Sequence, residues 1–282
     1  MLVAVASLKG APGVTTLCVG MAALWPGAPA VVVECDPDGG DLVSRFGHHP
    51  APGLATLAAA VRHGSTGDGR GSSNRPDLRT GALAPHLQQL SLGVHAVLAP
   101  PGEAAVSAAI VAEHAGAVLL PPAGGAVVAD VGRVARPGPG LLIAAGADHV
   151  LLVARPTVED LRLVAWRLDA LRGAVSGQLW LVLAGDGPIA AGEAARDTGV
   201  PVIGAVPRDR WGAGVLSGRI TATGWRRLRL PRAARTIAAG LVGAAPNPDR
   251  STDAGSRPRT ANDPRTVPNA AGDGWRRIEA SR

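Results

Sequence analysis

The 282-residue chain has no tyrosine, one phenylalanine and only two cysteines. With six tryptophans besides, it has too few rings for a surface that stacks successive bases, which excludes a single-strand nucleic-acid platform. Cys18 and Cys35 cannot make a disulfide framework and fit a reducing compartment. No apolar run reaches the roughly 18 residues of a membrane span, because Lys9, Glu34, Asp130, Asp148 and Arg155 interrupt each stretch. The first 33 residues lack the basic start of a signal peptide, and Ser7-Leu8-Lys9-Gly10 breaks their apolar run. A cytoplasmic protein is expected. Lysine is the scarcest cation: of 28 basic residues, 27 are arginine and the other is Lys9. An ammonium is a compact point charge on a flexible stem, suited to reaching a phosphate through a narrow gap.

Apolar residues are plentiful, at 46%, enough to fill the core of one large α/β domain or two small ones. Charge is uneven. Residues 1–202 carry 13 basic and 16 acidic residues, whereas 203–243 carry eight arginines and one acid, Asp209. An anionic partner is therefore to be sought near Arg208, Arg210, Arg219, Arg226, Arg227, Arg229, Arg232 and Arg235. A solvated helical face would explain the same arginines with no partner at all.

Short apolar runs at 2–6, 30–34, 94–99, 126–130, 150–154, 179–184 and 201–206 read as buried strands. Helical stretches at 15–24, 53–63, 103–119 and 157–172 alternate with them, and another helix is expected between the last two strands. In 157–172, Leu161, Val164, Ala165, Leu168 and Leu171 share one face, and Thr157 with Asp160 resembles a capping box. This alternation predicts an α/β fold with a mostly parallel sheet flanked by helices. Ligands of such sheets lie beyond the carboxyl ends of the strands, so Lys9, Asp36, Asp130, Arg155 and Asp209 should converge on one edge. Residues 64–81 read as a Gly/Ser/Arg-rich mobile loop. Residues 1–243 read as one domain, with 244–282 as a disordered tail lacking hydrophobic periodicity.

The loop after the first strand reads Ser7-Leu8-Lys9-Gly10-Ala11-Pro12-Gly13-Val14-Thr15-Thr16. A Gly-rich turn between a strand and a helix lets backbone N–H groups surround a phosphate. The standard pattern G-x-x-x-x-G-K-[ST] fails twice: Leu8 replaces its first Gly and Val14 its Lys. The run instead resembles the deviant loop of the MinD/ParA family of P-loop ATPases, K-G-G-x-G-K-[ST]-[ST], matching at Lys9, Gly10, Gly13, Thr15 and Thr16. The resemblance continues in order along residues 1–243. Glu34-Cys35-Asp36-Pro37-Asp38-Gly39 is similar to the family's D-x-D-P-x-G, and 126–132 to its strand ending in a metal-linked Asp. Residues 146–153 resemble its "aD-x-vllV" segment, and 204–209 its "G-x-iP-x-D" loop.

The resemblance implies a nucleotide-dependent homodimer binding ATP and Mg²⁺. Lys9 would reach across to the partner subunit's nucleotide, and Gly10, Ala11, Pro12, Gly13, Val14, Thr15 and Thr16 would cradle phosphates. Thr15 would ligate Mg²⁺, Asp130 would hold it through water, and Glu34 or Asp36 would orient the attacking water or the metal's waters. Pro207 and Asp209 would border the base. It implies a role in spatial organisation, such as chromosome partition, septum placement or localisation of a pilus or secretion machine. Through the Arg window it implies non-specific DNA or an anionic membrane as partner, with peripheral localisation at nucleoid or membrane.

The departures have a cost. Val14 removes a charge-assisted hydrogen bond worth about 1.5–3 kcal/mol, roughly ten- to hundredfold in affinity. Pro12 removes a backbone donor. Phosphoryl transfer depends on positioning and charge neutralisation, so hydrolysis suffers more than binding. The family's base-contacting Asn is missing, since Ala184-Gly185-Asp186 stands in its place. Two readings follow: a slow dimerising ATPase switch, or a pseudo-ATPase scaffold that binds a protein partner. Other chemistries lack support. The seven histidines show no metal spacing with the cysteines, and no serine has a His/Asp partner at recognisable spacing. Cys35, between two acids, has its thiolate disfavoured.

Overall fold

The computed structural model describes residues 1–10, 13–65, 81–134 and 137–244. Ala11 and Pro12, nearly all of the expected loop at 64–81, and the expected tail from 245 onward lie outside the described residues. In chain order the elements are β1 (Leu2–Ser7), α1 (Val14–Ala23), β2 (Ala30–Glu34), α2 (Leu42–Phe46), α3 (Leu54–Ser65), β3 (Gln88–Gln89) and β4 (His95–Val97). Then come α4 (Ala105–Glu113), α5 (Ala115–Val118), β5 (Ala126–Arg133), α6 (Pro139–Gly146), β6 (His149–Ala154) and α7 (Val158–Ala174). The described part ends with β7 (Gln178–Ala184), α8 (Ala191–Thr198), β8 (Val202–Val206), α9 (Arg210–Leu216) and α10 (Arg229–Gly243).

The strands form one sheet ordered β3-β4-β2-β5-β1-β6-β7-β8. All pairs are parallel except β3 with β4, an antiparallel edge. Every residue of β1 is buried, as expected of a strand covered on both faces. Leu2, Ala4 and Ala6 pack toward α3, α4, α6 and α7. Val3 and Val5 pack toward α1 and α10. The chain leaves β1 toward β2 on one side, while β6 flanks β1 on the other. The loop after β1 therefore sits at the switch point where such sheets bind ligands.

Helix α7 is capped as expected, Thr157 Oγ1 accepting from Asp160 N at 3.5 Å, and it buries Leu161, Val164, Leu168 and Leu171. The expected helix 103–119 breaks at His114 (φ −116°), between α4 and α5. Three helices carry no sequence expectation: five-residue α2, α6 opening on Pro139, and α9. The Arg window resolves partly into α10, which buries Leu230, Ala234, Ile237 and Leu241 at helical spacing and leaves Arg229, Arg232 and Arg235 exposed. Both cysteines are buried, and burial pushes their thiols up, which fits packing rather than nucleophilic roles. Among the described residues no helix is long and apolar enough to cross a membrane.

Candidate functional site

The loop after β1 is shaped by two left-handed glycines, Gly10 (φ 68°) and Gly13 (φ 94°). The Ser7 hydroxyl donates to Gly10 O at 3.3 Å. Gly13 is the N-cap of α1, and no side chain caps that helix, so its first turn presents amides to an outside acceptor. Val14 does not face this opening with a charge. It is 7% exposed and packs with Val3, Val5 and Leu17. Lys9 is exposed and makes no ion pair among the described residues. Glu159 at the start of α7 is held below the usual carboxylate range by hydrogen bonds from its own backbone and from Thr157, with smaller help from the charges of Lys9 and Arg162.

Beside the loop lies a cavity of about 410 Å³. Gly13, Thr15, Asp36, Asp130, Arg45 and Arg133 are among its walls. Asp130 is 3% exposed. Its carboxyl accepts from Gly132 N at 3.2 Å and from the Thr15 hydroxyl. Burial pushes Asp130 up to about 6 despite those two bonds, and the Asp36 charge adds to the rise. Asp36 is also raised, chiefly by burial. Asp36 Oδ1 accepts from Asp38 N at 2.9 Å. The Asp36 carboxyl rests against Gly132 (φ 62°), where any Cβ would collide with it. The residue type at 132 thus sets where Asp36 sits.

Glu34 departs from the role expected of it. It is 2% exposed, and both carboxylate oxygens are occupied by backbone amides. Oε1 accepts from Asp41 N and Leu42 N at 2.9 Å each, and Oε2 from Ala99 N at 3.0 Å. Glu34 is not among the residues lining the cavity. It clamps the turn before α2 to the end of β4, and Gly40 leaves room for it, since a Cβ there would strike Glu34 Oε2. The longer Glu side chain reaches these amides instead of a water.

Asp209 also holds backbone amides. Its Oδ1 accepts from Gly212 N and its Oδ2 from Leu230 N, both at 2.9 Å, so it caps α9 and pins the start of α10. Burial acts to raise its carboxyl, and the amides of Leu230, Gly212, Trp211 and Arg229 together more than offset that, leaving it lowered. With Pro207 it still lines a cavity of about 460 Å³, which Gly13, Arg155, Asp186 and Arg208 share. Arg155 lies against Gly10, and Asp160 Oδ2 fixes its backbone by accepting from Arg155 N at 3.1 Å. Lys9, Asp36, Asp130, Arg155 and Asp209 therefore do meet on one edge. Sequence reasoning missed Arg45 and Arg133. The only trace of Arg45 was its spacing of four from Asp41, a helical pair, realised at 2.5 Å. Arg133 pairs with Asp38.

The cavity can accept a metal ion carried with phosphate. Among the described residues no three His, Cys, Asp or Glu side chains group as a self-sufficient metal site. Mg²⁺ is commonly held by one or two carboxylates plus phosphates and water. The buried Asp130 carboxyl, lacking an ion-pair partner among the described residues and bonded to Thr15, fits that donor set, with Asp36 beside it.

The raised carboxyls make a pH expectation. A buried acid whose folded pKa lies above its ordinary value stabilises the fold fully below the ordinary value and loses that contribution as pH rises through the folded one. For Glu34 the window runs from 4.5 to about 7. His86 and His149, both lowered by burial, act in the opposite direction, so the expectation is for a difference. In urea titrations the stability advantage of wild type over Glu34→Gln shrinks as pH rises from about 5 to 7. An advantage that grew across that range would contradict the placement of Glu34.

No family model matches the sequence, and no curated protein matches it. Solved structures do. A ParA family ATPase from Chlorobium tepidum superposes with a TM-score of 0.61 at 17% identity, over 85% of this chain and 97% of that one. The cell division ATPase MinD of Pyrococcus furiosus gives 0.62 at 15% identity, over 86% and 98%. The chain has the fold of the ParA and MinD ATPases. The Pyrococcus horikoshii septum site-determining protein MinD, complexed with Mg-ADP, matches at TM-score 0.57 and 14% identity, over 85% and 95%. The Thr15–Asp130 contact lies beside the loop after β1.

Proposed function

We propose that residues 1–243 form a nucleotide-dependent switch of the ParA/MinD kind, binding Mg-ATP at the loop after β1 and dimerising on it. The observation that carries the reading is the buried Asp130 carboxyl bonded to the Thr15 hydroxyl at the mouth of an uncapped α1. The name of the Pyrococcus horikoshii protein, with Mg-ADP, supports the same ligand class. Thr15, Asp130 and Asp36 would hold Mg²⁺, which when bound neutralises phosphate charge. Loop amides of Gly10, Gly13, Val14, Thr15 and Thr16 orient the phosphates, and the exposed Lys9 is free to meet a second subunit's nucleotide. Pro207 and Asp209 shape the wall against which the base rests.

Charge at the cavity favours a nucleotide that arrives with its metal. Among the described residues, Asp36, Asp38, Asp41 and Asp130 line it against two arginines, Arg45 and Arg133. A phosphate arriving alone meets net negative charge. Replacing Mg²⁺ with EDTA is expected to weaken nucleotide binding at least about tenfold, one charge-assisted contact's worth, as read by fluorescence of a labelled nucleotide. Equal binding in both buffers would contradict the assignment of Asp130.

Hydrolysis is expected to be slow, because Val14 lies in the core and supplies no charge. The same observation favours a second reading, a scaffold that keeps the dimer surface without turnover. Phosphate release and native mass in Mg-ATP separate the two: a dimer with measurable release supports the switch, and release at background supports the scaffold. Arg208, Arg210, Arg219, Arg226, Arg227, Arg229, Arg232 and Arg235 are all exposed, and none is in an ion pair among the described residues. They suit an anionic surface. DNA binding would weaken steeply with salt, and membrane binding would show as co-sedimentation with anionic vesicles.

A further inference from the structure

The sequence removes a cation at Val14, and the fold brings another to the same place by a different route. Arg45 Nη1 donates to Thr16 Oγ1 at 3.2 Å, the second hydroxyl of the loop helix. The guanidinium is partly buried, at 22% exposure. It lines the cavity that holds Thr15 and Asp130. It also lines a neighbouring cavity of about 480 Å³ with Arg210 and Arg219, whose walls include no acidic residue among the described residues. Thr16 thus shares the wall of that cavity with three arginines, of which Arg45 bonds it.

The position of Arg45 is fixed from below. Glu34 Oε1 holds the amides of Asp41 and Leu42, which open α2. Leu42 and Val43 are buried in the core, and Arg45 O packs closely over Gly218. The remaining partner of Arg45 is Asp41, itself 61% exposed. An exposed pair of this kind is weakly held, so the guanidinium can exchange Asp41 for a stronger anion. We propose that Arg45 is the residue that takes over, within one subunit, the phosphate-neutralising charge that Val14 cannot provide. The ligand chemistry is a phosphate group of the bound nucleotide, seated at Thr16. This rests on the nucleotide-binding reading above. Thr16 is about 100° around α1 from Thr15, the hydroxyl bonded to Asp130. Arg45 therefore lines the same cavity as Asp130 but enters it from the Thr16 side of α1, and its charge serves diphosphate and triphosphate alike.

The test is calorimetry of the full chain with Mg-ADP and Mg-ATP, with melting curves as a folding control. Arg45→Gln raises Kd for both nucleotides about ten- to hundredfold. Arg45→Lys keeps affinity within about threefold, because the charge is retained. Asp41→Asn, which releases the guanidinium from its carboxylate, binds as tightly as wild type or more tightly. Wild-type affinity in Arg45→Gln overturns the proposal. So does equal weakening in Asp41→Asn, Arg45→Lys and Arg45→Gln, the pattern of a residue that only pins α2 to α1. If wild type itself gives no heat with either nucleotide, the nucleotide-binding reading fails first and takes this proposal with it.

Discussion

Glu34→Ala lowers the stability of the fold by about 3–5 kcal/mol, the largest loss expected from a single substitution at this edge of the sheet. The carboxylate is buried and receives three backbone amides, from Asp41, Leu42 and Ala99. A buried donor left without an acceptor costs about 1–3 kcal/mol, and the summed cost is of the size that sets exceptional substitutions apart. Against the 5–15 kcal/mol typical of a folded domain, such a loss separates folded from partly unfolded material at room temperature. Glu34→Gln keeps one oxygen for Asp41 and Leu42 but turns an amide N–H toward Ala99 N, so it should fall between the two. Chemical denaturation of the three proteins at pH 7 checks the order. If Glu34→Ala unfolds at the same denaturant concentration as wild type, the clamp described here is wrong.

Lys9→Ala behaves in the opposite way. The side chain is exposed and free of ion pairs among the described residues, so stability changes by no more than about 0.5 kcal/mol. Assembly is expected to disappear. In Mg-ATP the wild-type mass doubles, whereas Lys9→Ala stays a monomer at every protein concentration up to the solubility limit. A substitution that is silent in the melt and decisive in the mass measurement is the mark of a residue whose partner lies in another subunit. Undiminished dimerisation in Lys9→Ala would remove Lys9 from the mechanism.

The two residues also show what the sequence could and could not reveal. Lys9 was legible because it is isolated: one ammonium in an arginine-rich chain, inside a Gly-rich turn. The alternation of apolar strands with helices gave the parallel sheet, because strands buried on both faces read as continuous apolar runs. The clamp made by Glu34 was hidden because its position at the end of β2 suggests chemistry, whereas its bonds are to amides seven, eight and 65 residues away. The capping role of Asp209 was hidden for the same reason, since Leu230 N is 21 residues on. Arg45 was invisible because α2, five residues long, is too short to show a period. The break at His114 escaped notice because 103–119 stays apolar on both sides of it, and only the backbone angle marks the join.

All of these expectations meet at one place, the turn between β1 and α1, and at one claim: that it receives the phosphates of a magnesium nucleotide. Hydrogen exchange of the full chain with and without millimolar Mg-ADP, alongside calorimetry, tests that claim most directly. The account predicts measurable heat and slowed exchange at the amides of residues 8–17, with Asp130 and Gly132 following. No heat, together with unchanged exchange in that turn, would contradict it.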